Sequence, residues 1–164
     1  VVMRGKFSVD GVLSTKIGVD KLDSTEKIAE MINNSRHKEQ LRIIMTNGIT
    51  FAGFNILDIK KLFEITNLPV IAIMRKKPKL EEMKQALKKH FDDWKERLET
   101  INKGALHEIK LRYTIYSKFF GISANEAKEI IKLATIRGAI PEPIRIADKI
   151  SKRVKEELWE RNLV

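Results

Sequence analysis

The residues best placed to do chemistry are those from Thr46 to Asn55, which read Thr-Asn-Gly-Ile-Thr-Phe-Ala-Gly-Phe-Asn. They follow the apolar run Leu41–Met45, which reads as a buried strand. They precede Ile56–Thr66, whose apolar spacing reads as a helix. In open α/β sheets, ligands bind outside the carboxyl ends of strands. Small or polar residues there let a ligand approach the backbone. Metal-assisted hydrolysis of a phosphodiester asks for a carboxylate at such a point; this chain has Asn47. The Asn47-Gly48 pair also suits a plain turn, because both residues tolerate left-handed backbone. Phe51 and Phe54 present ring faces that suit stacking on an extruded base, or packing in the core. Arg75-Lys76-Lys77, with Lys79 close behind, lies just past a second apolar run, where its charge suits phosphate oxygens or a solvated loop. Gly48, Phe51, Phe54, Arg75, Lys76 and Lys77 are the candidate contacts to nucleic acid.

The elements that must position these residues follow from periodicity. Val1–Lys6 and Val12–Val19 are β-rich runs, and Asp10-Gly11 between them signals a hairpin turn. A helix over Thr25–Asn34 follows, with Asp23 or Ser24 as N-cap. After the Thr46–Asn55 tract and its helix comes Val70–Met74, a second buried strand. Strand, helix, strand implies a parallel pair with a right-handed crossover. Leu80, Met83, Leu87, Phe91, Trp94, Leu98 and Ile101 recur every three or four residues and predict one long helix over Leu80–Ile101. Lys84, Lys88, Lys89 and Lys95 fall on its polar side. Ile109–Tyr116 reads as a strand. Ser123-Ala124-Asn125-Glu126 is a capping box opening a helix to about Ile136. Pro141-Glu142-Pro143 breaks the chain before a last helix from about Ile144 to Glu160, on which Arg145 and Asp148 are spaced for an ion pair. This order makes one α/β domain over residues 1–164 with a mixed sheet.

Composition narrows the classes. The chain of 164 residues is 43% hydrophobic and 33% charged, so it can build a core. It has no cysteine, which excludes disulfides and thiolate metal sites. Its three histidines, His37, His90 and His107, are far apart in sequence, against a zinc site. A net charge of +10 attracts polyanions. The longest apolar run, Leu68–Met74, is too short to span a bilayer, and no signal peptide is visible. A cytoplasmic protein with no membrane partner is expected. A homo-oligomer built on the long helix is compatible with the pattern.

The block Asn47–Asn55, with Val70–Pro78 and Lys89-His90-Phe91-Asp92-Asp93-Trp94, resembles an archaeal family related to endonuclease V. Asp20–Glu26 resembles that family's signature before its first helix. Ile122–Ala127 and Ile140–Asp148 resemble segments of endonuclease V itself. The resemblance implies a ribonuclease H-like fold, a mixed sheet flanked by helices. It also implies cleavage of DNA near a deaminated base, uracil or hypoxanthine, with Mg²⁺ or Mn²⁺.

In such enzymes an aspartate of the first strand, an acid near the first helix and an aspartate at the position of Asn47 hold metal, while a histidine and a lysine assist. Carried over by the resemblance, Asp20, Asp23 and Asn47 are the candidate metal ligands, and Asp23, Glu26 and Asn47 the candidate catalytic groups. Asp23 equally suits a plain N-cap, and Glu26 a favourable charge in a first helical turn. The chain departs from the pattern elsewhere. Val1 falls at the second strand of the family's order, so the first-strand aspartate has no counterpart and the domain is expected to be N-terminally incomplete. Phe120 falls at the histidine's place and Arg75 at the lysine's. The alternative reading is a nucleic-acid binder that keeps the fold without its acids.

Overall fold

The computed structural model describes the backbone of residues 1–160 and the side chains of residues 1–154. The chain opens with strands β1 (Val2–Arg4) and β2 (Ser8–Gly11), followed by helix α1 (Ser24–Asn33). Next come β3 (Ile44–Asn47), two short strands β4 (Thr50–Phe51) and β5 (Asn55–Ile56), helix α2 (Ile59–Thr66) and β6 (Val70–Met74). Helices α3 (Leu80–His90) and α4 (Trp94–Asn102) precede the pair β7 (His107–Lys110) and β8 (Thr114–Phe120). Helices α5 (Ala124–Ala134) and α6 (Glu142–Glu160) close the chain. The last residues of the expected domain, 161–164, lie outside the described residues.

The main sheet has the order β3-β6-β8-β7. β3 and β6 run parallel, joined through α2, and the other pairs are antiparallel. The sheet is therefore mixed, as expected. β6 explains the layering. Val70 and Ala72 point into one apolar cluster, with Leu62 of α2, Leu87 of α3 and Ile101 of α4. Ile71 and Ile73 point into the other, with Ala127 and Ile131 of α5 and Ile144 of α6. A strand covered on both faces reads as an unbroken apolar run, and Val-Ile-Ala-Ile does so.

Several local expectations are corrected. The first hairpin turns at Gly5–Phe7, not at Asp10-Gly11, and Ser8–Gly11 is itself a strand, whereas Val12–Val19 is irregular. Gly5 supplies the left-handed residue, with φ of +61°. Asp10 accepts from Arg4 across the ladder. The expected strand Leu41–Met45 shifts to Ile44–Asn47, because Ile44 to Asn47 register against Val70 to Ile73. Helix α2 starts at Ile59, not Ile56, because the Asp58 carboxylate accepts from the backbone N–H groups of Lys60 and Lys61, a cap worth about 1 kcal/mol.

The single long helix is two. Phe91 leaves helical backbone at φ −138° and ψ 128°, and Trp94 begins α4. The strand expected at Ile109–Tyr116 is a hairpin, turned at Leu111–Tyr113. The capping box Ser123–Glu126 forms as expected. Arg145 does not pair with Asp148: it binds Glu142, while Asp148 binds Lys152 at 2.7 Å.

Candidate functional site

The Thr46–Asn55 tract lies at the carboxyl end of the parallel pair. Asn47 is the last residue of β3, registered against Ile73 of β6, and its side chain is exposed. Gly48 follows at φ +75°, and its N–H donates to the Ile73 carbonyl at 2.8 Å. That backbone suits glycine for conformation, since a Cβ there would meet only Met74 Cγ at an ordinary 3.7 Å. The buried Thr46 hydroxyl donates to the Gly48 carbonyl at 2.7 Å and fixes the turn from below. β4 and β5 then fold the tract back, pairing Phe51 with Asn55. Because β6 lies beside β3, its exposed continuation Arg75-Lys76-Lys77 emerges next to the Asn47-Gly48 turn.

A buried amide organises the rest. Asn55 is fully buried. Its Nδ2 donates to Asp23 Oδ1 at 2.6 Å and to the Gly18 carbonyl at 2.8 Å, and its Oδ1 accepts from the Ser24 N–H at 3.0 Å. Asp23 also accepts from the Gly18 N–H at 3.1 Å. The Asn55 bond, with backbone N–H groups behind it, holds the Asp23 carboxyl below its ordinary value against a smaller upward push from burial. Asp23 stands at the N-cap position of α1, yet its side chain makes no cap bond.

Asp20 plays a parallel part. Its Oδ1 accepts from the Phe54 N–H at 2.7 Å, and its own N–H donates to the Ala52 carbonyl at 2.9 Å. Asp20 and Ala52 both hold left-handed backbone, at φ 55° and 40°, a conformation that costs a non-glycine residue roughly 1–2 kcal/mol. Gly53, at φ +82°, is required for two reasons. A Cβ there would sit 2.1 Å from Asp20 Oδ1. Strain of this kind persists where surrounding contacts over-determine it, and it clusters at functional sites.

Arg97 completes the clasp. Its guanidinium is buried; it donates to the Phe54 carbonyl at 2.7 Å and to Asp93 Oδ1 at 2.7 Å. It also stacks 4.2 Å from the centre of the Phe91 ring, and Phe54 meets Phe91 edge-on at 5.6 Å. The break between α3 and α4 lets Phe91 and Arg97 reach the tract together.

The candidate residues therefore separate. Asn47 and Phe51 line a cleft of about 940 Å³ along the outer edge of β3, with Ala52, Asp10 and Asp148. Asp20 and Asp23 hold the tract through backbone N–H groups and Asn55. Glu26 is exposed on α1 and paired with Lys61 of α2. Phe51 and Phe54 are half-buried against the core. Phe120 lies opposite Val70, at the far end of the sheet from Asn47, and packs on Phe63 at 5.3 Å. The residue of β8 opposite Met74, beside the site, is Tyr116. Lys79 binds Glu82, whereas Lys88 and Lys95 sit over Trp94 at 4.8 and 5.7 Å. Among the described residues, no three His, Asp or Glu side chains come together as a metal site.

The model of the endonuclease dU family matches residues 1–155 of this sequence. The chain belongs to the endonuclease dU family. A relative from Methanothermobacter thermautotrophicus, described as a UPF0215 protein, is 47% identical over 154 residues, 93% of this chain and 76% of the relative. One from Methanopyrus kandleri is 44% identical over 158 residues, 94% of this chain and 80% of the relative. A crystal structure of a protein of unknown function from Archaeoglobus fulgidus superposes with a TM-score of 0.83 at 34% identity, covering 88% of this chain and 82% of that one. Endonuclease V of Ciona intestinalis, solved with a 24mer DNA containing an inosine followed by a ribo-adenosine, gives a TM-score of 0.53 at 18% identity, covering 89% and 70%. That likeness shows an endonuclease V-like fold for this endonuclease dU family member.

Asn55 and Arg97 are the residues that sequence reasoning missed. Asn55 closed the motif but was read as its boundary, and Arg97 sat inside a helix read as continuous. The signal for both is the same: a polar residue of fixed hydrogen-bonding geometry beside an apolar stripe.

Proposed function

We propose that this protein is an endonuclease that cuts DNA beside a deaminated base, uracil or hypoxanthine. One observation carries the reading within its family: the strained, clasped Asn47–Asn55 tract and the exposed Arg75-Lys76-Lys77 run leave the same end of the parallel strand pair. The cationic run would hold phosphates on either side of the lesion. The tract, with its left-handed backbone at Gly48, Ala52 and Gly53, would offer backbone and the Phe51 ring edge to a base drawn out of the stack. The Asn47 amide, exposed and uncharged, suits a hydrogen bond to a phosphate oxygen at the cut.

Mg²⁺ or Mn²⁺ belongs to the proposal on the strength of the family resemblance. The described residues do not themselves form its site, since Asp20 and Asp23 accept from backbone N–H groups and Asn55, and Glu26 binds Lys61. That same observation favours a second reading, a nucleic-acid binder that has turned its acids to structure. A duplex with a single uracil or hypoxanthine, against an undamaged duplex, separates the two. Lesion-dependent nicking supports the enzyme; tight binding without nicking, with or without Mn²⁺, supports the binder.

A further inference from the structure

The β7–β8 hairpin reaches past the sheet at the candidate site. β6 and β8 run antiparallel, and their ladder ends where Met74 faces Tyr116. From that rung β6 continues outward as the exposed Arg75-Lys76-Lys77. β8 arrives from the same side through Thr114 and Ile115, which among the described residues pair with β7 alone. The hairpin therefore overhangs β6 by two residues, about 7 Å, before its turn at Leu111–Tyr113. β3 and β8 flank β6, so Arg75-Lys76-Lys77 leaves the sheet between the Asn47-Gly48 turn and this tip.

Turn geometry does not account for the residues at the tip. Turns favour Gly, Asn, Asp, Ser and Pro. This one is Leu-Arg-Tyr, and none of the three has a positive φ. Leu111 packs against the core, but Arg112 and Tyr113 are exposed, Tyr113 at 47%. The Arg112 guanidinium lies over the Tyr113 ring, 5.8 Å from its centre. Lys110 binds Glu108 at 3.6 Å. Arg112, like Arg75, Lys76 and Lys77, has no carboxylate partner among the described residues. Unpaired cations beside an exposed ring fit a strand of nucleic acid, in which phosphates take the charge and a base takes the ring face.

We propose that the β7–β8 tip is a second arm of the site that grips unpaired nucleotides: Tyr113 stacks on a base next to the one drawn out, and Arg112 binds the phosphate beside it. A base inside a duplex hides its face, so this arm selects strand that has been opened. The contact presupposes the nucleic-acid part of the proposed function, but neither metal nor cleavage.

Fluorescence anisotropy of a labelled, undamaged single strand of about 12 nucleotides, without divalent metal and at several salt concentrations, tests this. Tyr113→Ala should weaken single-strand binding by about tenfold and leave the salt slope unchanged. Tyr113→Phe, which keeps the ring, should bind as the native protein does. Arg112→Gln should lower the slope of log affinity against log salt by about 0.7, the value for one phosphate on a single strand. A duplex of the same sequence should feel Tyr113→Ala much less. Native binding by both Tyr113→Ala and Arg112→Gln, with binding lost on replacing Arg75, Lys76 and Lys77 by Ala, would overturn the second arm and leave the nucleic-acid reading standing. Equal weakening of single strand and duplex by Tyr113→Ala would overturn the stacking on an unpaired base. No binding by the native protein to either would overturn both readings.

Discussion

The Asn55 side chain reaches back across the structure to place its Nδ2 2.6 Å from Asp23 Oδ1 while its Oδ1 holds the Ser24 N–H at 3.0 Å. One amide thus ties the end of the Thr46–Asn55 tract to the start of α1. Asn55→Ala would leave the Ser24 N–H and Gly18 carbonyl without their side-chain partner and should cost about 3 kcal/mol. Asn55→Asp would set two carboxylates side by side. One of them would then have a raised pKa, so that variant should regain stability as pH falls from neutral. Urea unfolding of both variants at two pH values measures this.

Arg97 should prove as important to the tract as any residue within it. Arg97→Met keeps the stacking length but leaves the Phe54 carbonyl unpaired, a loss of about 2–3 kcal/mol. Arg97→Lys should not restore it, because an ammonium lacks the planar fork that serves Asp93, Phe54 and the Phe91 ring together. Thermal melts of the two variants would settle the comparison.

Acid should loosen the clasp first. The Asp23 carboxyl is held below its ordinary value by Asn55. At Asp58 burial pushes upward, but the Lys103 ammonium and the Lys61 and Lys60 N–H groups outweigh it, so its carboxyl is also lowered. A carboxylate depressed on folding binds fewer protons folded than unfolded. Its stabilisation is complete above the unfolded value and is lost as pH falls through the lowered one. Stability should therefore hold at neutral pH and fall below about pH 4. In Asp58→Asn that fall should be shallower, read by unfolding midpoints across the acid range.

The basic run should dominate binding without setting which base is chosen. Replacing Arg75, Lys76 and Lys77 together by Ala should weaken lesion-bearing and plain duplexes alike. It should also reduce the slope of log affinity against log salt by about 2 to 3. Fluorescence anisotropy at several salt concentrations reads both.

How much of this was legible in the sequence varies with the range of the forces involved. β6 was read to the residue, because burial on both faces leaves no polar position within it. The α5 start was read from a local capping box. The break at Phe91 was not legible: the apolar stripe runs through it, and the cause is tertiary, the reach of Phe91 and Arg97 to Phe54. The first hairpin was misplaced because Asp-Gly is a strong local signal that Gly5 displaced. The Thr46–Asn55 tract does lie at the carboxyl end of a strand, but Thr46 and Asn47 belong to that strand and the helix after the tract begins only at Ile59. Asp20 was read as a candidate metal ligand, and Asp23 was open between ligand and cap. The structure gives both another role: Asp20 accepts from the distant Phe54 N–H and Asp23 from the distant Asn55 amide, contacts that no spacing along the chain could reveal.

The most direct measurement is single-turnover nicking of a uracil-containing duplex with Mn²⁺, for the native protein and for Asn47→Ala, against an undamaged duplex. The account predicts cutting beside uracil by the native protein and little on undamaged DNA. In Asn47→Ala it predicts a rate lowered by about tenfold or more with duplex affinity retained. No cutting by the native protein, or equal cutting of both duplexes, would contradict it.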